Sequence, residues 1–441
     1  MRTTLFLFGF AILSLSAAAS GTTPGEGFDV ISYQLALTPD SASKTLSGRE
    51  TIILRVTGDR VERLCFSGNA LTVTRARLDG DEVSVVLRGE TLDFDLPRPV
   101  ARGRILRLQI SYHGRPKRGF VATPTSLYTS YFACDWMVCP QNQFGDKAAF
   151  TLDLSVPAGM ETLSVGERIT KRPGLDGREI HRWKSQRPYS AYLFGFAVGR
   201  FKRVEVGPLA LFSDVADVED LKRRFLGTAE MIDFMAGKAG MQLPVVSYGQ
   251  LLVSGDEAQE AATYSVLGID ALPSKPNDPE EDWAIAHELA HQWWGNLITC
   301  QTLKDFWLNE GITTFMTAAW KEHRYGRNAY DAELGLARRR VETAHAAGYD
   351  KPLAWGGKYP DIGTRRTIQY SKGALFMDRL RTVLGEDAFW SGLRSYTRKH
   401  SGGTVTSIDL QRAMEKASGQ DLGQLFTEWV FGAEREISPA A

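Results

Sequence analysis

The chain has 441 residues, enough for two or three domains and a sizeable core. Hydrophobic residues make up 43%, charged residues 24% and aromatics 10%, a globular profile that excludes disorder as the main theme. Lys plus Arg and Asp plus Glu number 52 each, so no global field draws the protein onto nucleic acid or an anionic membrane, and function must reside in a local site.

In chain order, Met1 and Arg2 lead into the uncharged run Leu5 to Leu15, followed by the small residues Ser16 to Ser20. This is the pattern of a secretory signal peptide over residues 1–19, with Ala17-Ala18-Ala19 matching the cleavage rule. The apolar run is shorter than the roughly 20 residues that span a bilayer, so an exported protein, periplasmic or secreted, with no stable membrane insertion is expected. Four cysteines follow. Cys134 and Cys139 are close enough in sequence to pair in an oxidising compartment, and buried free thiols are the alternative.

From Phe28 to about Phe201 short alternating stretches dominate. Ile31, Tyr33, Leu35 and Leu37 recur at period 2, as do Val83, Val85 and Leu87 after Asp79-Gly80-Asp81. Further runs at Ile105 to Tyr112, Ala149 to Val156 and Tyr192 to Val198 extend the theme, predicting an antiparallel β domain over residues 20–205. From about Asp217 the period becomes helical, predicting an α+β protein whose second domain, residues 206–441, is mostly helical. Asp278-Pro279-Glu280-Glu281 reads as a helix start, with the helix running to about Trp294 and stopping at Gly295. Later helices are expected at about Asn309–Tyr325, Gln369–Leu384, Glu386–Arg398, Ile408–Ser418 and Leu422–Phe431.

On the helix opened by Pro279 lies His287-Glu288-Leu289-Ala290-His291. Residues four apart share one helix face, so both imidazoles can bind one metal, with Glu288 beside them toward a water. A catalytic zinc needs a third protein ligand and an open position. Glu310, near the start of the next helix in Trp307-Leu308-Asn309-Glu310-Gly311, returns to the level of the histidines if that helix runs antiparallel. Such a two-histidine, one-glutamate site suits carbonyl polarisation and water activation.

His287 to Asn296, HELAHQWWGN, and Trp307 to Gly311, WLNEG, together resemble the aminopeptidase N family of zinc metallopeptidases, within the gluzincins. Asp146 to Leu154 with Val156-Pro157, and Tyr192 to Gly199, are similar to recurring strands of that family's N-terminal domain. The resemblance implies a saddle-like β domain followed by a thermolysin-like catalytic domain, one Zn2+ per chain and peptide substrates. It implies His287, His291 and Glu310 as metal ligands, Glu288 as general base, and Tyr370, in Tyr370-Ser371-Lys372-Gly373, as the oxyanion-stabilising tyrosine. The family's Gly-x-Met-Glu-Asn segment, whose glutamate binds the substrate's α-amino group, reads here Glu257-Ala258-Gln259-Glu260-Ala261. Glu260 aligns with that glutamate but its neighbours differ, and Glu257 is a second candidate. The expected activity is removal of N-terminal residues from peptides; altered specificity including endopeptidase action, or a catalytically silent peptide-binding homologue, are the alternatives. The chain stops soon after Gln424 to Trp429, which resembles the end of the catalytic domain, implying a short two-domain form with a more open cleft. Arg338-Arg339-Arg340 reads as a solvated helix face. No motif encodes the oligomeric state or the preferred first side chain.

Overall fold

The computed structural model describes residues 23–141, 143–272 and 282–432. The expected signal peptide and the Asp278 to Glu281 helix start lie outside the described residues.

The first half is built on a nine-stranded sheet, beside a four-stranded and a three-stranded one. Strand Phe28–Asp40 sits near its middle, antiparallel to Thr45–Val56. On its other side it pairs parallel with Lys147–Pro157, so the sheet is mixed and not purely antiparallel. This join uses two segments more than a hundred residues apart, a pairing that local alternation cannot reveal. Strand Phe28–Asp40 buries one face, its buried residues including Tyr33, Leu35 and Leu37 at the expected period of 2, whereas Ser84–Arg88 buries none of its residues and leaves Leu87 exposed. The segment Tyr192 to Val198 is not one strand; a short 3-10 turn, Ala191–Leu193, precedes the strand Phe196–Gly199.

The second half opens on a five-stranded sheet in the order Lys202–Val206, Leu209–Ser213, Tyr248–Val253, Tyr264–Gly268, Ala258–Ala261. This sheet lies between the two cores. Leu251, Val253, Tyr264 and Val266 join the core of the β half, whereas Leu209, Leu211, Leu252 and Leu267 join the helical core. Both faces are therefore covered, which explains why Leu209–Ser213 and Tyr248–Val253 are buried at every position. Helices Trp307–Tyr325, Arg327–Ala346, Gly373–Leu384, Glu386–Lys399 and Ser407–Ser418 complete the helical half. No helix among the described residues is long and apolar enough to cross a membrane. Cys134 and Cys139 form a disulfide, and Cys300 is buried.

Candidate metal centre

The helix carrying His287 and Glu288 is Trp283–Ala290, and His291 is its C-cap residue. It ends four residues earlier than the periodicity suggests, because the chain tightens: Gln292 and Trp293 donate to the carbonyls three residues back, Leu289 and Ala290. Gly295, at φ +129, then turns the chain so that Trp294 bridges to Ile298. The two imidazoles still share one face, with Nε2 atoms 3.2 Å apart.

Glu310 enters from the first turn of Trp307–Tyr325, its Oε2 3.3 and 3.4 Å from the two Nε2 atoms. His287, His291 and Glu310 each offer a ligand atom within 4.8 Å of the others. All are deeply buried, at 2%, 1% and 2% exposure. His291 Nδ1 donates to the Trp294 carbonyl at 3.1 Å, which fixes the tautomer and leaves the Nε2 lone pair facing the group. Glu310 Oε2 makes no hydrogen bond of acceptable geometry despite those contacts. Lone pairs converging on one buried point, one of them on an orphaned carboxylate oxygen, fit a cation, and imidazole with carboxylate is the donor chemistry of a catalytic zinc. Among the side chains alone, burial opposes charge on every member. The Glu310 and Glu260 carboxylates nevertheless hold His291 up, while the imidazoles hold Glu310 down.

Aromatic rings support the group. His287 is stacked between Trp283, at 4.3 Å between centroids, and Tyr370, at 5.6 Å. Tyr370 sits in a π-helical turn, Thr367–Lys372, that leads into Gly373–Leu384, where a continuous α-helix was expected. Burial and the carboxylates of Glu310, Glu260 and Glu288 push its phenol well above the usual range, so it stays a proton donor. The approach of these elements depends on two glycines: a Cβ on Gly311 would lie 2.8 Å from Gly373 Cα, and one on Gly373 would lie 2.7 Å from Gly311 Cα.

Glu260 lies on the edge strand Ala258–Ala261, and its carboxylate groups with Glu288 and His291 within 4.8 Å. Glu257 lies apart, accepting from Ser130 Oγ at 3.3 Å. Of the two acidic candidates, Glu260 is the one the fold brings to the centre. Burial, with Glu310 adding, raises Glu260 to about 7. Burial likewise raises Glu288.

Several residues that stand within the quoted motifs, but were given no role there, support the group. Gln292 and Asn296 donate to the Ala261 carbonyl at 3.2 and 3.0 Å, tying the edge strand to the segment after His291. Asn309 Oδ1 accepts from Cys300 N–H and its Nδ2 donates to Tyr192. Lys147 Nζ donates to the carbonyls of Asn296 and Leu297 at 3.2 and 2.8 Å, and Tyr192 donates to Gly295, so the β half braces the same turn.

Residues 263–429 match the Peptidase family M1 domain. The chain is 27% identical over 403 residues to a probable aminopeptidase 1 from Saccharolobus solfataricus, covering 84% of this chain and 49% of that protein. The chain spans about half the length of the curated relatives it matches. A solved M1 zinc metallopeptidase from Deinococcus radiodurans, a single-residue variant, superposes with a TM-score of 0.79 at 22% identity, covering 95% of this chain and 98% of that one. The same Deinococcus protein bound to a Tyr-Ser-Ala substrate superposes at 0.74 with 23% identity, covering 93% and 95%. The chain therefore carries a peptidase family M1 domain, set within the two-domain fold of solved M1 zinc metallopeptidases.

Proposed function

We propose that this chain is a zinc-dependent aminopeptidase that removes N-terminal residues from peptides. The reading is carried by one observation: the His287, His291 and Glu310 group, Glu288 and Glu260 converge on one buried spot beside an edge strand. His287, His291 and Glu310 would hold the zinc, which when bound supplies carbonyl polarisation, an acidified water and a charge that favours the ionised form of the neighbouring carboxylates. Glu288 accepts a proton from the attacking water as its oxygen bonds to the scissile carbon, and delivers that proton to the leaving amine as the C–N bond breaks. The protonated Tyr370 hydroxyl donates to the oxygen on which negative charge develops. Glu260 accepts the substrate's ammonium, whose charge offsets the burial of that carboxylate. The tripeptide held by the Deinococcus protein supports short peptides as the substrate class. The uncharged run after Arg2 and the Cys134–Cys139 disulfide support export.

The test compares trialanine with its N-acetylated form. The aminopeptidase reading expects a kcat/KM for the free amine at least about tenfold higher, and Glu260→Ala to erode that preference by roughly one to two orders of magnitude, the worth of a charged hydrogen bond. Equal cleavage of both, unmoved by Glu260→Ala, would replace it with endopeptidase action.

A further inference from the structure

The edge strand Ala258–Ala261 has a sheet neighbour on one side, Tyr264–Gly268. Gly268 N–H donates to the Glu257 carbonyl at 2.6 Å, and the register pairs Ala258 with Leu267 and Glu260 with Ser265. Hydrogen-bonded and non-bonded pairs alternate in an antiparallel ladder, so Ala258 and Glu260 turn their backbone groups outward. Outward groups two residues apart repeat about every 6.7 Å, the repeat of an extended peptide, which makes this edge a template for a bound chain.

One of those outward groups is already engaged. Tyr131, from the β half, donates its hydroxyl to the Ala258 carbonyl at 2.5 Å. Its backbone is at φ +53, a left-handed conformation that bulky residues rarely adopt. The surroundings enforce it. Ser130 N–H donates to the Gly119 carbonyl, and a Cβ on Gly119 would lie 2.1 Å from Ser130 O. Arg118 grips Asp135 through Nε and Nη2 at 3.1 and 2.7 Å, and the Cys134–Cys139 disulfide closes the segment behind. Strain held in place by its neighbours is characteristic of functional positions. The Tyr131 residue is 40% exposed, so an incoming peptide can reach it.

We propose that Tyr131 is a specificity-determining gate: its hydroxyl occupies the Ala258 carbonyl that a peptide backbone N–H would use, and a peptide must displace it to lie along the edge strand. The inference rests on the aminopeptidase reading and adds a discrimination to it. Substrates that bring a backbone N–H to Ala258 compete with the tyrosine; substrates without one do not.

The experiment is Tyr131→Phe, which keeps the ring and removes the hydroxyl, assayed on trialanine and on alanine methyl ester, which has no peptide N–H. With the carbonyl released, KM for trialanine falls about three- to tenfold while kcat stays within about twofold, as one net hydrogen bond dictates. Ester kinetics and zinc content are unchanged. A raised KM for trialanine would make the hydroxyl a substrate-binding group, a loss of kcat on both substrates would make it a structural one, and an unchanged KM would leave the carbonyl without a role. Any of these overturns the gate while leaving the aminopeptidase reading intact. Failure of the unaltered protein to cleave trialanine overturns that reading and the gate with it.

Discussion

Glu310 is a buried carboxylate whose Oε2 has no hydrogen bond of acceptable geometry, so its removal takes away the proposed third ligand and leaves two imidazoles facing each other. Glu310→Ala is expected to lose most of its zinc, which elemental analysis of the purified protein reads directly; a full complement would move the third ligand elsewhere. Glu288→Gln preserves shape and removes only the carboxylate proposed as proton acceptor. Zinc content and peptide binding should stay near normal while kcat falls by roughly 10² to 10⁴, and near-normal turnover would assign the base to another group. These side chains were legible in the sequence because their spacing expresses a chemical requirement. Tyr131 and Trp283 were not: each matters through a contact that the fold creates, Tyr131 with the Ala258 carbonyl and Trp283 with the His287 ring, while Gln292 and Asn296 stood inside the motif with no role assigned to them.

Periodicity located several helices but not their ends or irregularities, and it gave no bounds for Thr228–Ala239 or Arg327–Ala346. The helix bearing His287 was expected to run to Trp294 and stops at Ala290, because Trp293 and Trp294 are fully buried and a tight turn, not a longer helix, packs both. The π-helical turn around Tyr370 was equally invisible, since its buried residues, Ile368, Gln369, Ser371 and Lys372, are mostly polar and carry no apolar period for the extra residue to disturb. What the motifs did record are the glycines that follow Glu310 and Lys372, which touch each other where the two elements cross. Gly373→Ala places a methyl group 2.7 Å from the Gly311 Cα, which only backbone movement relieves. An overpacking penalty of about 1 to 3 kcal/mol is expected in chemical denaturation. Because Tyr370 and Glu310 move with those backbones, kcat should drop as well; unchanged stability would mean the crossing is looser than its geometry.

For the molecule as a whole, the sequence revealed two architectures, strands then helices, and the fold agrees. It did not reveal the sheet shared between two cores, because runs buried on both faces lose the alternation that betrays a strand's orientation. Stability should carry a pH signature from Glu50, buried at 1% exposure and accepting from Val138 N–H beside the disulfide segment. Burial raises its pKa from 4.5 to about 8. The folded state therefore holds a proton that the unfolded chain releases: the stabilisation is full below pH 4.5 and is lost as pH rises toward 8. Glu50→Gln stays neutral throughout, so its melting temperature relative to the unaltered protein should climb between pH 5 and pH 8; a constant gap in calorimetric scans would exclude the linkage.

The bracing of the turn after His291 by Lys147 and Tyr192 has an engineering consequence. Produced as two separate polypeptides, the halves would leave the helical piece with the Leu297 carbonyl uncapped, the Gly295 and Asn296 carbonyls held by Thr299 alone, and Phe306 stripped of its partner Phe144. The histidine turn would then lack its buttress and hold metal weakly until the β piece docked. Under the proposed function, recovered zinc binding and turnover on mixing the two pieces would register the meeting of two fused partners.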